Sequence, residues 1–287
     1  MKIAHLSDLH FAKITYSPLQ FLSKRWVGNA NLILFRRKQH QTALLAPLPS
    51  LFEKLKVNVI LITGDLSTTG RDIEFEEGEE FLNSLKINKI VIPGNHDHYT
   101  KRGYRKKLFY QFFSNTPLYP PTTSLEKLTL QEDKIELRPL NDTWWYLAID
   151  TAIPTSLVSS RGLFSKDLEK DLQKVLKNLP KGKKVLFLNH FPFFPFDRSK
   201  NILQRGMALH NLLKNYPQVV FYLHGHTHRH CIADLREANL PIILDSGSVS
   251  LKSRGSFNLL ELKEKSTCLS VYHYQGEKWE KKREKKF

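Results

Sequence analysis

At 287 residues and 41% apolar composition, the chain can bury a core as one large α/β domain or two small ones, and it is too apolar to be disordered. It has no run of about eighteen apolar residues, so no membrane-spanning helix is expected. Cys231 and Cys268 form neither a C-x-x-C pair nor a disulfide framework and read as buried apolar fillers. The formal charge of +16 points to a polyanionic partner: nucleic acid, an anionic membrane face or a phosphorylated substrate.

The positive charge is clustered. No acidic residue lies between Asp8 and Glu53, or between Asp97 and Glu126, and both stretches start straight after a polar motif. The first residues enter a strand with no signal-peptide pattern, from which a cytoplasmic location is expected.

In chain order, residues 2–7 read as a strand ending at Asp8-Leu9-His10. An insertion over about 11–45 follows and has no simple period through residue 41. In it Leu19, Phe21, Trp26, Val27 and Leu32 to Phe35 are interleaved with Lys24, Arg25, Arg36, Arg37 and Lys38. Residues 41–56 read as helix, delayed by Pro47 and Pro49. Residues 57–63 form a buried strand ending at Gly64-Asp65. Residues 72–86 carry Phe75, Glu79, Leu82 and Leu85 at helical spacing, and 87–92 form a strand ending at Pro93-Gly94-Asn95-His96-Asp97.

Beyond it, 99–113 is basic, aromatic and helical in pattern, and Pro117, Pro120 and Pro121 mark a loop. A strand pair is expected over 125–151, and a helix over 165–179 with Ser165 as its N-cap. Residues 184–188 read as a strand ending at Asn189-His190, 201–216 as a helix, and 218–223 as a strand ending at His224-Gly225-His226-Thr227-His228. Short strands at 229–235, 240–245, 255–263 and 268–274 point to a second sheet. The charged tail, 277–287, is expected to fray. With no repeat and no linker, residues 1–287 read as one domain.

Five strand ends thus deliver Asp8 and His10, Asp65, Asn95 and His96, His190, and His226 and His228. Any one of these alone is more often a satisfied structural side chain than a ligand. Parallel strands bring their C-terminal ends to one sheet edge, where such groups can converge. Carboxylates, an amide and neutral imidazoles without a thiolate suit divalent ions rather than a closed structural zinc site. The donors outnumber one coordination sphere. Two ions about 3.5–4 Å apart that share a carboxylate are the economical arrangement.

The ordered series Asp8-Leu9-His10, Gly64-Asp65, Gly94-Asn95-His96-Asp97, Asn189-His190 and Gly225-His226-Thr227-His228 resembles the motifs of the calcineurin-like metallophosphoesterases, with no core position missing. The resemblance implies an α/β fold, a four-layer α/β/β/α sandwich with a dinuclear site at the strand ends. It implies Asp8, His10 and His228 as ligands of one ion, Asn95, His190 and His226 as ligands of the other, and Asp65 as the bridge. His96 would be the catalytic histidine that contacts the phosphate and serves the leaving group, with Asp97 orienting it. The family points to manganese, with iron, zinc or magnesium as further candidates. His98, His224 and His230 flank the motifs and read as supporting residues.

The substrate is less directly written. The basic, aromatic insertion suits an anionic lipid surface, and Phe191 to Phe196, directly after His190, form a second apolar cluster. Both read equally well as loops that cover the core. The insertion together with the Gly-Asn-His-Asp motif is similar to the calcineurin-like UDP-2,3-diacylglucosamine pyrophosphatases of lipid A biosynthesis. That similarity implies a lipid-linked nucleotide sugar as substrate and a peripheral position on the inner face of the cytoplasmic membrane. Two alternatives stand beside it. One is a cyclic-nucleotide or general phosphodiesterase. The other is a nuclease, with Tyr104, Tyr110 and Phe113 as stacking platforms for nucleic acid.

Overall fold

The computed structural model describes residues 1–13, 42–156, 158–263 and 266–287. Residues 14–41, most of the expected insertion, lie outside the described residues. The strands in chain order are β1 (Lys2–Leu6), β2 (Val59–Ile62), β3 (Asn88–Val91), β4 (Ile135–Pro139), β5 (Trp144–Ile149), β6 (Gly162–Leu163), β7 (Lys184–Leu188), β8 (Leu203–Gln204), β9 (Val219–His224), β10 (His230–Asp234), β11 (Ile242–Ser246), β12 (Ser256–Leu262), β13 (Thr267–Gln275) and β14 (Lys278–Lys286). The helices are α1 (Leu48–Leu55), α2 (Asp72–Ser84), α3 (Lys101–Arg105), α4 (Leu108–Phe112), α5 (Leu130–Asp133), α6 (Lys166–Lys177) and α7 (Gly206–Leu213).

Two six-stranded sheets form, in the orders β14-β13-β12-β1-β2-β3 and β10-β11-β9-β7-β5-β4. Side chains of a strand alternate between faces, and the apolar runs here place a residue on both. In β2, Ile60 and Ile62 meet one helical layer, where they pack with Leu48 and Phe52 of α1, Phe75 and Leu82 of α2, and Phe109 of α4. Val59 and Leu61 face the other way, onto Tyr146, Leu186, Phe221 and Leu244 of the opposite sheet. That sheet's outer face, with Leu147, Phe187, Tyr222 and Ile243, packs on Leu168, Leu172 and Leu176 of α6 and Leu209 of α7. The result is helices, sheet, sheet, helices, as the motif resemblance implies.

β1, β2 and β3 run parallel to one another, as do β5, β7, β9 and β11. Their C-terminal ends therefore open onto one edge of the molecule. Among the described residues no helix is long and apolar enough to cross a membrane.

Several expectations need correction. The strands after residue 229 do not make a sheet of their own. β11 pairs parallel with β9, while β12 pairs antiparallel with β1 through Lys2↔Glu261 to His5↔Asn258. Alternation reveals a strand, but its sheet is decided by which edge is open to receive it. Pro47 does delay the helix over 41–56: a 3-10 turn, Thr42–Leu45, precedes α1. The segment 99–113 breaks into α3 and α4 at Lys107, whose φ is 50°. The segment 201–216 gives β8 before α7, with Arg205 left-handed between them.

The cysteines are not buried fillers. Cys231 is exposed on the edge strand β10, and Cys268 is half-buried. Of the three aromatics expected as platforms, Phe113 is core, while the half-buried Tyr110 donates to Asp150 Oδ2 at 2.8 Å and the half-buried Tyr104 accepts from Lys134 Nζ at 2.6 Å. Of the aromatic run after His190, Phe191 and Phe193 are core residues, while Phe194 and Phe196 stay half-exposed.

The tail forms β14. Gly276, at φ 64°, turns the chain back after β13, and the hairpin pairs Gln275↔Lys278 through Cys268↔Lys286. Its anchor is Trp279, which packs on Phe257 at 5.1 Å and donates Nε1–H to the Leu44 carbonyl at 3.1 Å. The charges remain largely on the solvent side, where lysines, an arginine and two glutamates blunt an open edge. Trp279→Ala is expected to cost about 3–5 kcal/mol in urea unfolding. A loss below about 0.5 kcal/mol, ordinary for a surface site, would return the tail to a frayed state.

Candidate metal centre

The loops after β1 and β2 are laced together. Asp8 N–H donates to Gly64 O at 3.0 Å, His10 N–H to Asp65 O at 3.0 Å, and Phe11 N–H to Leu66 O at 2.7 Å. This turn geometry puts Asp8, His10 and Asp65 in the left-handed region, with φ of 56°, 53° and 56°. His226 and His228, after β9, share it at 68° and 53°. Such backbone costs about 1–2 kcal/mol per residue and persists where surroundings over-determine it, commonly at functional sites.

Two carboxylates divide their oxygens between loops and imidazoles. Asp65 Oδ1 accepts His96 N–H at 2.8 Å, and Asp8 Oδ2 accepts His226 N–H at 3.0 Å. The remaining oxygens face ring nitrogens. Asp8 Oδ1 lies 3.0 Å from His228 Nε2 and 3.6 Å from His10 Nε2. Asp65 Oδ2 lies 3.4 Å from His190 Nε2 and 3.9 Å from His10 Nε2, so it stands between two groups of donors. Asn95 Oδ1 completes the second group, 3.2 Å from His190 Nε2.

Thus Asp8, His10, Asp65 and His228 offer ligand atoms within 4.8 Å of one another, and Asp65, His190 and His226 do the same. Every residue expected at the site from the sequence is brought to it.

Backbone carbonyls set the rings. His190 Nδ1–H donates to Thr63 O at 2.7 Å, which turns its Nε2 lone pair inward. His226 Nε2–H donates to Asn201 O at 2.8 Å, which leaves Nδ1 for the site. His96 Nδ1–H donates to Thr68 O at 2.7 Å, and its ring stands edge-on to His10 at 5.0 Å. Fixing the distal nitrogen of a ligating imidazole on a carbonyl is the usual outer-shell device of metal sites.

The electrostatics fit a cation. Burial disfavours charge on Asp65, but His190 and His96 outweigh it and hold the carboxyl well below its ordinary range. Burial alone would neutralise His190, yet the charge of Asp65 raises it to about 9. The pocket therefore retains positive charge on an imidazole, a place divalent ions would take over with release of that proton. His226 is instead pushed down to about 4, first by burial and then by His190, and is ready as a neutral donor.

One expected role changes. Asp97 does not orient the His96 ring. Its carboxylate accepts from the backbone N–H groups of Leu66, Ser67 and Gly94, and from Ser67 Oγ, so it holds two loops in register. Burial, and then the charge of Asp65, raises it to about 6. Thr68 does the orienting.

Supporting residues that the motifs did not reveal include Asp245, which accepts from Thr227 Oγ1 at 2.5 Å, and Asn201, whose carbonyl has no sequence signature. Ser248 and Ser250 both donate to Asp8 O, at 2.7 and 3.1 Å. His98 pairs with Asp150 at 3.0 Å, and His230 with Asn258 Oδ1 at 2.9 Å. His224 is buried with Nδ1 3.4 Å from Asp245 Oδ2. All three lie outside the donor groups.

Gly94 and Gly225 are needed for close approach. A Cβ on Gly94 would run into the Asp65 carboxylate and amide, and one on Gly225 into Ser7 Oγ and Asp8 Oδ2.

A family model for calcineurin-like phosphoesterases matches residues 1–230. The chain belongs to that family. A 3′,5′-cyclic-nucleotide phosphodiesterase of Nostoc sp. is 24% identical over 233 residues, which cover 80% of this chain and 72% of that protein. A glycerophosphodiester phosphodiesterase of Enterobacter lignolyticus is 23% identical over 245 residues, 84% of this chain and 75% of that protein. The crystal structure of a dimetal phosphatase from Danio rerio shares the fold, with a TM-score of 0.67 at 14% identity over 98% of both chains. This calcineurin-like phosphoesterase is accordingly a hydrolase of phosphate esters, and its donor clusters suit a dinuclear divalent site.

Asp65→Asn keeps the size and the left-handed tolerance of the side chain but removes the shared charge. It should abolish hydrolysis and lower bound metal, read by elemental analysis, with circular dichroism unchanged. His96→Ala should keep the metal and lose at least about a hundredfold in turnover, the scale of a lost general acid. Near-normal turnover in either variant would reject its assignment.

Proposed function

We propose that the chain is a dinuclear-metal-dependent pyrophosphatase of a lipid-linked nucleotide sugar, cleaving UDP-2,3-diacylglucosamine to 2,3-diacylglucosamine 1-phosphate and UMP. The observation that carries this reading is the insertion, which follows His10 in the sequence and carries arginines and lysines among large apolar residues. Cations on headgroups with apolar side chains among acyl tails are what a lipid substrate at an anionic surface requires. The half-exposed Phe196 supports it, with its ring 5.6 Å from His226. On this reading the protein works at the inner face of the cytoplasmic membrane.

Asp8, His10 and His228 would hold one ion and Asn95, His190 and His226 the other, with Asp65 available to both and manganese as the proposed metal. When bound, two such ions neutralise phosphoryl oxygens and lower the pKa of water towards about 7, which supplies a nucleophile for in-line attack. The chain supplies the rest. His96, half-buried beside His10, presents Nε2 to the leaving oxygen, and Thr68 O steadies the charge of its imidazolium through Nδ1–H. Asp97 holds the His96 loop at its distance from Asp65.

A second reading, hydrolysis of a small phosphodiester, is favoured by the named activities of the Nostoc and Enterobacter relatives. The deciding experiment offers the manganese-loaded protein UDP-2,3-diacylglucosamine, cyclic AMP and bis(p-nitrophenyl) phosphate, alongside sedimentation with anionic liposomes. Release of UMP with liposome association is expected, and chelation should abolish the activity. Fast hydrolysis of cyclic AMP without liposome association or acyl dependence would install the second reading. Salt-sensitive binding and cleavage of single-stranded DNA would install a nuclease.

A further inference from the structure

The loops that follow β5 and β7 are tied to each other on the His226 side of the donor cluster. Ser159 Oγ and Ser160 N–H both donate to Lys200 O, at 2.7 and 3.0 Å, and Ser160 Oγ donates to Asn201 Oδ1 at 3.2 Å. Asn201 closes the knot. Its N–H reaches Arg198 O at 2.8 Å, its amide reaches Asp197 Oδ2 at 2.8 Å, and its carbonyl receives His226 Nε2–H at 2.8 Å. The short pairing of β6 with β8, Gly162↔Leu203 and Leu163↔Gln204, fixes the base. An irregular loop pair is thereby braced directly against a proposed metal ligand.

This scaffold spends its backbone and amides on itself and leaves its cations unspent. Arg161, Arg198 and Lys200 are exposed, and none forms an ion pair among the described residues. Of the two acids in these loops, Asp150 is buried against His98, and Asp197, which is exposed, accepts from Arg198 N–H at 2.7 Å and from the Asn201 amide at 2.8 Å. Three exposed cations against the one exposed carboxylate of Asp197, which the Asn201 amide and Arg198 help to hold ionised, leave this rim net positive and suited to an anion, and the arginine fork matches phosphate oxygens.

We propose that Arg161, Arg198 and Lys200 form a subsite for the second phosphate of a diphosphate diester, beside the donor cluster that takes the phosphoryl group under attack. The proposal rests on the reading of the substrate as a nucleotide-linked diphosphate and adds the residues that select it over a simple diester. A dinuclear centre neutralises the reacting phosphoryl group, and the neighbouring phosphate needs its own counter-charge. The knot supplies it on the His226 side.

The test uses the Arg198→Ala/Lys200→Ala double variant and Arg161→Ala, each loaded with manganese. In the wild type, UDP-glucose, a diphosphate diester, should inhibit hydrolysis of bis(p-nitrophenyl) phosphate competitively. The double variant should weaken that inhibition by about tenfold or more, the scale of one or two charge-assisted bonds. Its KM for UDP-2,3-diacylglucosamine should rise alike, with kcat/KM for bis(p-nitrophenyl) phosphate kept within about twofold. An unchanged inhibition constant would overturn the subsite, and so would an equal fall on both substrates, which marks the knot as merely structural. Wild-type protein that cleaves bis(p-nitrophenyl) phosphate but not the UDP-lipid would overturn the substrate reading alone, since UDP-glucose inhibition still decides the subsite.

Discussion

The site depends on how two buried carboxylates are divided. Asp8 and Asp65 each give one oxygen to a backbone N–H from a distant part of the chain, His226 in one case and His96 in the other. Each keeps the second oxygen for imidazole nitrogens. One side chain therefore positions a loop and forms part of the donor set at the same time. Because the loop it positions carries the next candidate ligand or the candidate acid, the order of the site propagates through these two residues. A buried carboxylate is costly unless it is bonded and paired, and Asp8 Oδ1, buried without a hydrogen-bond partner among the described residues, is the oxygen that a cation would satisfy.

The double sheet makes that division geometrically available. Asp8, Asp65 and Asn95 descend from parallel strands of one sheet, and His190 and His226 from parallel strands of the other. Residues such as Leu61, Ile90, Leu188 and Leu223, packed between the sheets, hold the two edges level. The groups do not need long loops to meet. The turns that join them are tightly bonded, and they are left-handed at Asp8, His10, Asp65, His226 and His228.

Much of this was legible in the sequence because the apolar runs stop abruptly at polar residues. The run Val59 to Ile62 before Gly64-Asp65 and the run Val185 to Leu188 before His190 declare both a buried strand and the edge at which it ends. The sheet to which a late strand belongs was not legible, since β12 and β10 have similar alternation and differ only in the open edge that each finds. The tail misled for a related reason. Nine residues dominated by charge resemble solvent-exposed chain, and the one tryptophan that anchors them at Phe257 and Leu44 carries little weight in a composition. At the site, Asp97 had the residue type and place for an orienting carboxylate, but backbone groups reached it first. The carbonyls that do the orienting, at Thr63, Thr68 and Asn201, leave no mark in a sequence.

The positive φ values at Asp8, His10, Asp65, His226 and His228 bear on which elements this centre could ever host. Among residues with side chains, asparagine, aspartate and histidine enter that conformation most readily, while branched side chains resist it. The loop geometry restricts the vocabulary of donors to oxygen and imidazole nitrogen before any ion arrives. A copper(I) or iron–sulfur occupant, which asks for thiolate or thioether, would demand different turns as well as different residues. Selectivity between soft and hard ions is in this sense a property of the main chain.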